Sequence, residues 1–251
     1  MSDDRGKTKI SLITVCLNSE KTIGRTIDSV FAQNYRNIEY IIVDGCSTDS
    51  TLKIVRDKLA DAPFETIIVS EPDEGIYDAM NKGIKLASGD LICMLNSDDR
   101  LTDNALNTVA GYYDNTDNQE YLVIYGMERR IKDGKEKECF LYGHEFIPER
   151  NLAHQACYIS KKTYDTFGLY DTSYKSAADH DFILRLYMSG QVTFIPVYEV
   201  LIDFYEGGIS SGCLGNIEGA RVRRKYGTVS TGQYTYIIFR SIFLKLIGKI
   251  R

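Results

Sequence analysis

The sequence predicts an α/β protein built on a mostly parallel sheet with helices on both faces. Three observations carry that expectation. Short apolar runs of strand length alternate with segments of helical periodicity through the first hundred residues. The runs are continuous rather than alternating in polarity, as in strands buried on both faces. Each run also ends in a polar cluster: Asn18-Ser19, Asp44, Asp73 and Asp98-Asp99. Parallel strands present their carboxyl ends on one edge, so the four clusters should meet where open α/β sheets bind ligands.

The first strand is the β-branched run from Ile10 to Val15, broken at Asn18-Ser19, residues suited to a helix N-cap. Ile23, Ile27, Val30 and Phe31 recur at helical spacing, and that helix should end before Asn34. Tyr40 to Val43 forms a second strand running directly into Asp44. Leu52, Val55 and Leu59 mark the next helix, and Thr66 to Val69 a third strand leading into Glu71-Pro72-Asp73-Glu74-Gly75. Ile76, Met80, Ile84 and Ala87 define a third helix, with Gly89 placed to cap its end. Leu91 to Leu95 is the fourth strand, delivering Asn96, Ser97, Asp98 and Asp99. The order β-α-β-α-β-α-β implies right-handed crossovers.

Beyond Leu101 the rhythm changes. A helix is expected over Thr102 to Tyr113, a strand over Tyr121 to Tyr125, and a charged hairpin over Arg129 to Lys137 turning at Asp133-Gly134. Ala156 to Ser160 is a short strand preceded by His154-Gln155. A helix with Ile183, Leu186 and Tyr187 on one face runs to Gly190, and Val192 to Val197 returns as a strand. Asp179 stands just before that helix, where an Asp is also a favoured N-cap.

Composition narrows the function. The chain of 251 residues carries a net charge of -5, which argues against nucleic acid as a partner, since such proteins present a basic face. An acidic protein that binds an anionic ligand needs a cation. There is no GxGxxG or GxxxxGK[ST], which counts against a dinucleotide dehydrogenase or a P-loop enzyme. The six cysteines include no CxxC pair and read as buried thiols of a reducing compartment. The polar N-terminus has no secretory signal, so the expected location is the cytoplasm. Residues 234–251 mix aromatic and aliphatic side chains with Arg240, Lys245, Lys249 and Arg251. That pattern fits either a peripheral contact with the inner face of the cytoplasmic membrane or a helix docked on the domain. The basic run Arg221 to Lys225 reads as a solvated helix face.

With these motifs in place, the chain resembles the inverting glycosyltransferases of family 2, of the nucleotide-diphospho-sugar transferase (GT-A) fold. The resemblance rests on TVCLNSEKTIGRTIDSVFAQ (14–33), IIVDGCSTDST (41–51), EPDEGIYDAMNKGIKLASGDLICMLNSDD (71–99) and AADHDFILRL (177–186). The bacterial enzymes of this family that assemble O-antigen, capsule or exopolysaccharide repeats look most similar. It implies a nucleotide-sugar-binding half over 1–100, an acceptor and catalytic-base half over 101–215, and a helical extension over 216–251.

What the resemblance implies residue by residue is specific. Thr14, Cys16, Asn18, Asp44, Asp73, Asn81 and Asp98 would contact the nucleotide-sugar. Asp98 and Asp99 occupy the DxD-like position for Mg²⁺ or Mn²⁺, with Asp99 the direct ligand. Asp179 would be the general base, although Ala178 stands where many members carry a second acid. His154 and His180 are candidate contacts to acceptor or donor. The QxxRW signature of processive synthases is absent, so a single sugar is expected to move from a nucleotide diphosphate sugar, a UDP-sugar, to a lipid-linked glycan acceptor. The alternatives are a catalytically inactive nucleotide-sugar-binding subunit, against which the joint presence of Asp99 and Asp179 weighs, and a nucleotidyltransferase, which would show a Gly-rich basic loop where this chain has Asn18-Ser19-Glu20.

Overall fold

The computed structural model describes residues 8–205 and 213–248. Among these, nine strands form one sheet: β1 (Ile10–Cys16), β2 (Ile38–Asp44), β3 (Glu65–Ser70), β4 (Leu91–Met94), β5 (Arg100–Leu101), β6 (Leu122–Lys132), β7 (Lys135–Phe140), β8 (Cys157–Ser160) and β9 (Thr193–Tyr205). Their order is β3-β2-β1-β4-β8-β6-β9-β5, with β7 paired to β6. The first four strands are parallel, in register from Ile10 against Ile38 and Leu91. From β4 onward the sheet is mixed, because β8 enters antiparallel between β4 and β6 while β6 and β9 run parallel.

Side-chain alternation along the buried strands splits the core into two layers. Leu12, Tyr40, Ile42 and Cys93 face α1 (Ile23–Phe31), α2 (Thr51–Leu59) and α4 (Ala105–Asp114). Ile13, Ile41, Val43 and Met94 face α3 (Ile76–Leu86), α5 (Lys161–Phe167) and α6 (Ala178–Ser189). Because the inner strands are covered on both sides, their residues are apolar at nearly every position, which is why those runs lack alternation.

Several expectations are sharpened or corrected. Gly89 does not cap α3: the helix closes at Ala87, in extended conformation. A Cβ at Gly89 would sit 2.8 Å from the Lys9 carbonyl oxygen and from the Ser11 amide nitrogen, so its role is to let the chain run hard against β1. The hairpin turns at Asp133-Gly134, both with positive φ (51° and 73°), the conformation a two-residue turn demands. The strand of the second half reaches Tyr205, well past Val197, and α6 begins at Ala178, earlier than the apolar periodicity indicated. The cysteines are free; Cys16, Cys93, Cys157 and Cys213 are buried, but Cys46 is exposed and Cys139 partly so.

The described C-terminal part is a helix pair, α7 (Cys213–Lys225) and α8 (Thr231–Leu246). A capping box between Ser230 and Gln233 starts α8. Only Ser241 of α8 is buried, and Tyr236, Phe239, Phe243 and Leu246 are 60–80% exposed. Lys249 and Arg251 of the C-terminal segment lie outside the described residues. No helix among the described residues is long and apolar enough to cross a membrane.

Candidate functional site

The polar clusters at the strand ends do meet along one edge, and side-chain hydrogen bonds join them. Register places Cys16 beside Asp44 and Asp44 beside Ser70. The Asp44 carboxylate, fully buried, accepts from the Ser70 hydroxyl (2.7 Å) and the Ser47 amide (3.1 Å). Cys16 Sγ lies 3.7 Å from it, and burial followed by the Asp44 charge pushes this thiol up to about 12. Asn18 has φ 51°, a left-handed conformation that Asn tolerates better than most residues. It turns its side chain to accept from the Thr48 amide at 2.9 Å, while its own amide donates to Ser47 Oγ at 2.8 Å. Ser19 and Ser97 hydroxyls meet at 3.0 Å. The loops after β1, β2 and β4 therefore form one polar rim.

Asp73 hydrogen-bonds the Gly75 amide (2.9 Å) and lies so close to Gly45 that a Cβ there would be 2.4 Å from Asp73 Oδ2. The glycine is what lets the loops after β2 and β3 approach. Thr14 and Asn81 sit deeper than the rim. Thr14 is fully buried, with its hydroxyl 3.1 Å from the Tyr40 hydroxyl. Asn81 spends both ends of its amide on the Tyr170 backbone, at 2.9 and 3.0 Å. Both side chains hold the fold behind the rim.

The two acids after β4 behave differently. Asp99 is fully buried; among the described residues its carboxylate accepts only the Tyr205 amide and the Asn96 side-chain amide, both at 3.2 Å. Burial first, then the neighbouring Asp98 charge, hold its carboxyl well above the ordinary range, with buried Glu128 adding to the effect. Asp98 is half-buried and also raised, by burial, with the Arg25 charge opposing. Neither carboxylate forms an ion pair with a basic side chain among the described residues. Two crowded hard-oxygen acids without an ion-pair partner among the described residues fit a divalent cation. No group of three His, Cys, Asp or Glu side chains among the described residues forms a metal cage.

Asp179 lies in the first turn of α6, but its carboxylate caps nothing: the helix starts after Ala177 with no side-chain cap bond. It accepts from Tyr77 Oη (2.7 Å) and Asn151 Nδ2 (2.6 Å), and His154 Nδ1 is 3.1 Å away. Burial alone would raise this acid, yet the His154 contact and the Tyr77 hydroxyl prevail and hold it at about 2. Tyr77 lies on α3, 102 residues away in sequence, so the bond ties the acid to the half that carries the strand-end rim. Among the described residues, three buried polar atoms in this neighbourhood find no partner: Asn151 Oδ1, His154 Nε2 and His180 Nε2. Unpaired buried groups are costly and point to a polar occupant. His180, also buried, is shifted downward by that burial.

Sequence reasoning passed over Tyr77, Asn151 and Arg25. Tyr77 reads as a core residue of an amphipathic helix and Asn151 as part of a polar loop, with no spacing to single them out. Arg25 stacks on the Tyr205 ring at 3.8 Å and donates to the Asp98 carbonyl at 2.8 Å, bracing the acidic loop from α1.

The sheet thus carries a polar edge at the carboxyl ends of its parallel strands, and a buried acid of the second half is tied through Tyr77 to the half that bears it. The model of glycosyl transferase family 2 matches residues 11–170. The chain belongs to that family and is a glycosyltransferase. Among its relatives is a PGL/p-HBAD biosynthesis glycosyltransferase of Mycobacterium bovis (strain BCG / Pasteur 1173P2), 29% identical over 208 residues, covering 80% of this chain and 78% of the relative. An uncharacterized glycosyltransferase of Mycobacterium tuberculosis (strain CDC 1551 / Oshkosh) is 34% identical over 215 residues, covering 80% and 77%. The fold matches Staphylococcus aureus TarS 1–349, solved with UDP, at a TM-score of 0.70 and 18% identity, covering 93% of this chain and 70% of that one. It also matches the Pyrobaculum calidifontis mannosyltransferase PcManGT, solved with GDP-Man and Mn²⁺, at 0.65 and 15%, covering 95% and 70%.

Proposed function

We propose that this glycosyltransferase is metal-dependent and inverting. In this reading it moves one sugar from a UDP-sugar to a hydroxyl of a lipid-linked glycan, in the building of a bacterial surface polysaccharide. The observation that carries the proposal is Asp179, a buried carboxylate kept ionised and tied through Tyr77 to the half bearing the strand-end rim. A carboxylate offers about four lone-pair sites. Three donors occupy Asp179, which leaves one site for the incoming hydroxyl.

Residues 1–100 hold the donor, with Asp44, Asn18 and Asp73 framing the nucleoside, and residues 101–215 hold the acceptor and the base. Asp98 and Asp99 would hold Mg²⁺ or Mn²⁺, which supplies Lewis-acid stabilisation of the leaving diphosphate. The Mn²⁺ and GDP-Man of PcManGT and the UDP of TarS, whose fold this chain shares, support that assignment. The acceptor oxygen bonds to the anomeric carbon as the bond to the diphosphate oxygen breaks, and the acceptor proton passes to Asp179. One in-line displacement inverts the anomeric centre. Asn151 and His154 orient Asp179 and keep it charged in an otherwise apolar setting; their free atoms, Asn151 Oδ1 and His154 Nε2, face the acceptor's remaining hydroxyls.

A screen of nucleotide-sugars for thermal stabilisation of the purified protein, with and without Mn²⁺, tests the proposal. A UDP-sugar should raise the melting temperature in the presence of the metal. Stabilisation by no nucleotide-sugar would overturn the donor assignment.

A further inference from the structure

Beside Asp179 opens a cleft of about 370 Å³ between the loop before β8, the start of α6, and the α7–α8 pair. Asn151, which donates to Asp179, lines it, as does His180, whose Nε2 has no partner among the described residues. The walls carry three guanidinium groups, Arg150, Arg223 and Arg240, against one carboxylate, Glu149. None of the three arginines forms an ion pair with a carboxylate among the described residues. Arg150 rests on the Tyr142 ring. Among the described residues Arg223, partly buried, makes only long bonds to backbone carbonyls, 3.3 Å to Glu149 and 3.4 Å to Gly219. Burial is unfavourable for a guanidinium and shifts Arg223 downward, with the Glu149 charge opposing. Such a group is poised for a multivalent anion, because phosphate takes guanidinium bonds in pairs.

The position of Arg240 adds a second constraint. On α8 the exposed side chains Tyr236, Phe239, Phe243 and Leu246 recur at helical spacing as one apolar stripe. At about 100° per residue, Arg240 lies between that stripe and the cleft-lining Ile237 and Ser241. An occupant reaching from Asp179 past Arg240 would pass from a polar cleft to an apolar surface. That is the order of parts in a sugar joined through phosphate to a lipid.

We propose that this cleft binds the phosphate or diphosphate linking the acceptor's sugar to its lipid, with Arg223 and Arg240 as its ligands, so that the sugar hydroxyl falls at Asp179 and the lipid leaves along α8. The inference rests on the lipid-linked acceptor of the preceding section and names the group by which that acceptor is held. It differs from general attraction to an anionic bilayer, since the anion must enter the cleft.

The test is vesicle co-sedimentation of the full chain. Phosphatidylcholine vesicles carrying a long-chain isoprenyl diphosphate are compared with phosphatidylglycerol vesicles of equal surface charge, and inorganic pyrophosphate serves as soluble competitor. The diphosphate vesicles should bind about 10- to 100-fold more tightly, the effect of two charge-assisted contacts. Pyrophosphate should compete, and R223Q/R240Q should erase the margin. The exposed pair R221Q/R224Q on α7, with the same change of charge, should keep it. Equal binding to both anionic vesicles, an unchanged margin in R223Q/R240Q, or an equal loss in R221Q/R224Q would overturn the proposal. Titration of the wild-type protein with UDP reads the donor assignment separately: a chain that binds UDP but shows no diphosphate margin refutes the cleft alone.

Discussion

Replacing Asp179 by Asn isolates the charge of the proposed base with little change of shape. The amide oxygen can accept from Asn151 and His154 while its NH₂ donates to the Tyr77 hydroxyl, so the surroundings of α6 should persist. What is lost is the ionised state. Asp179 is held at about 2 against an ordinary 3.8, a difference of roughly two units or about 2.4 kcal/mol. Since the folded-state value is depressed, this stability is present above 3.8 and disappears as the pH falls through about 2. At neutral pH, D179N should melt about 5–10 °C below wild type, for a chain of this size. The gap should shrink to about half near pH 3. Transfer should fall by about 10²–10⁴-fold, the usual worth of a positioned base, while calorimetric titration with the donor remains nearly unchanged. The assays are release of nucleoside diphosphate in the presence of acceptor, and melting curves at the two pH values. Wild-type turnover in D179N would refute the assignment of the base, and a melting gap equal at pH 3 and pH 7 would refute the electrostatic reasoning.

Two further substitutions probe the parts that hold this arrangement. Tyr77→Phe removes one of three donors to Asp179; a hydrogen bond to a charged group is worth about 1.5–3 kcal/mol, so the acid limb of the transfer rate should move up by about one to two pH units, and an unmoved limb would separate Tyr77 from catalysis. Gly45→Ala places a methyl group 2.4 Å from Asp73 Oδ2, which must swing away; donor affinity should drop by about tenfold at a stability cost of about 1–2 kcal/mol, and unchanged donor titration would show that the contact of these two loops does not shape the nucleoside site.

The first half of the fold was legible because its strands are buried on both faces and punctuated by polar clusters. Ile10–Cys16, Ile38–Asp44 and Leu91–Met94 fall where their apolar runs fall. The second half was less so. The strand ending at Tyr205 carries Pro196, Glu199 and Asp203, and only its pairing with β6 and β5 reveals its length. Gly89 shows the limit of local rules: its position after a helix resembles a cap, but the strand it touches lies about eighty residues earlier. At the site, Asp44, Asp73, Asp98 and Asp99 were visible as strand-end acids. Thr14 and Asn81 look polar in the sequence, yet Thr14 meets the Tyr40 hydroxyl and Asn81 the Tyr170 backbone inside the core. Tyr77 and Asn151 could not be found, because their meaning comes from a partner 102 and 28 residues away.

The most direct test of the donor half is a calorimetric titration of UDP-sugar into wild type and Asp99→Asn, each with and without Mn²⁺. Asp99 is a buried acid crowded by Asp98 and Glu128, and a cation would relieve that crowding. Wild type should bind the donor at least about tenfold more tightly with Mn²⁺, as expected when a charge is matched inside a partly buried site. D99N should bind with no such gain. An equal metal-dependent gain in D99N, or donor binding by wild type that ignores the metal, would contradict the account.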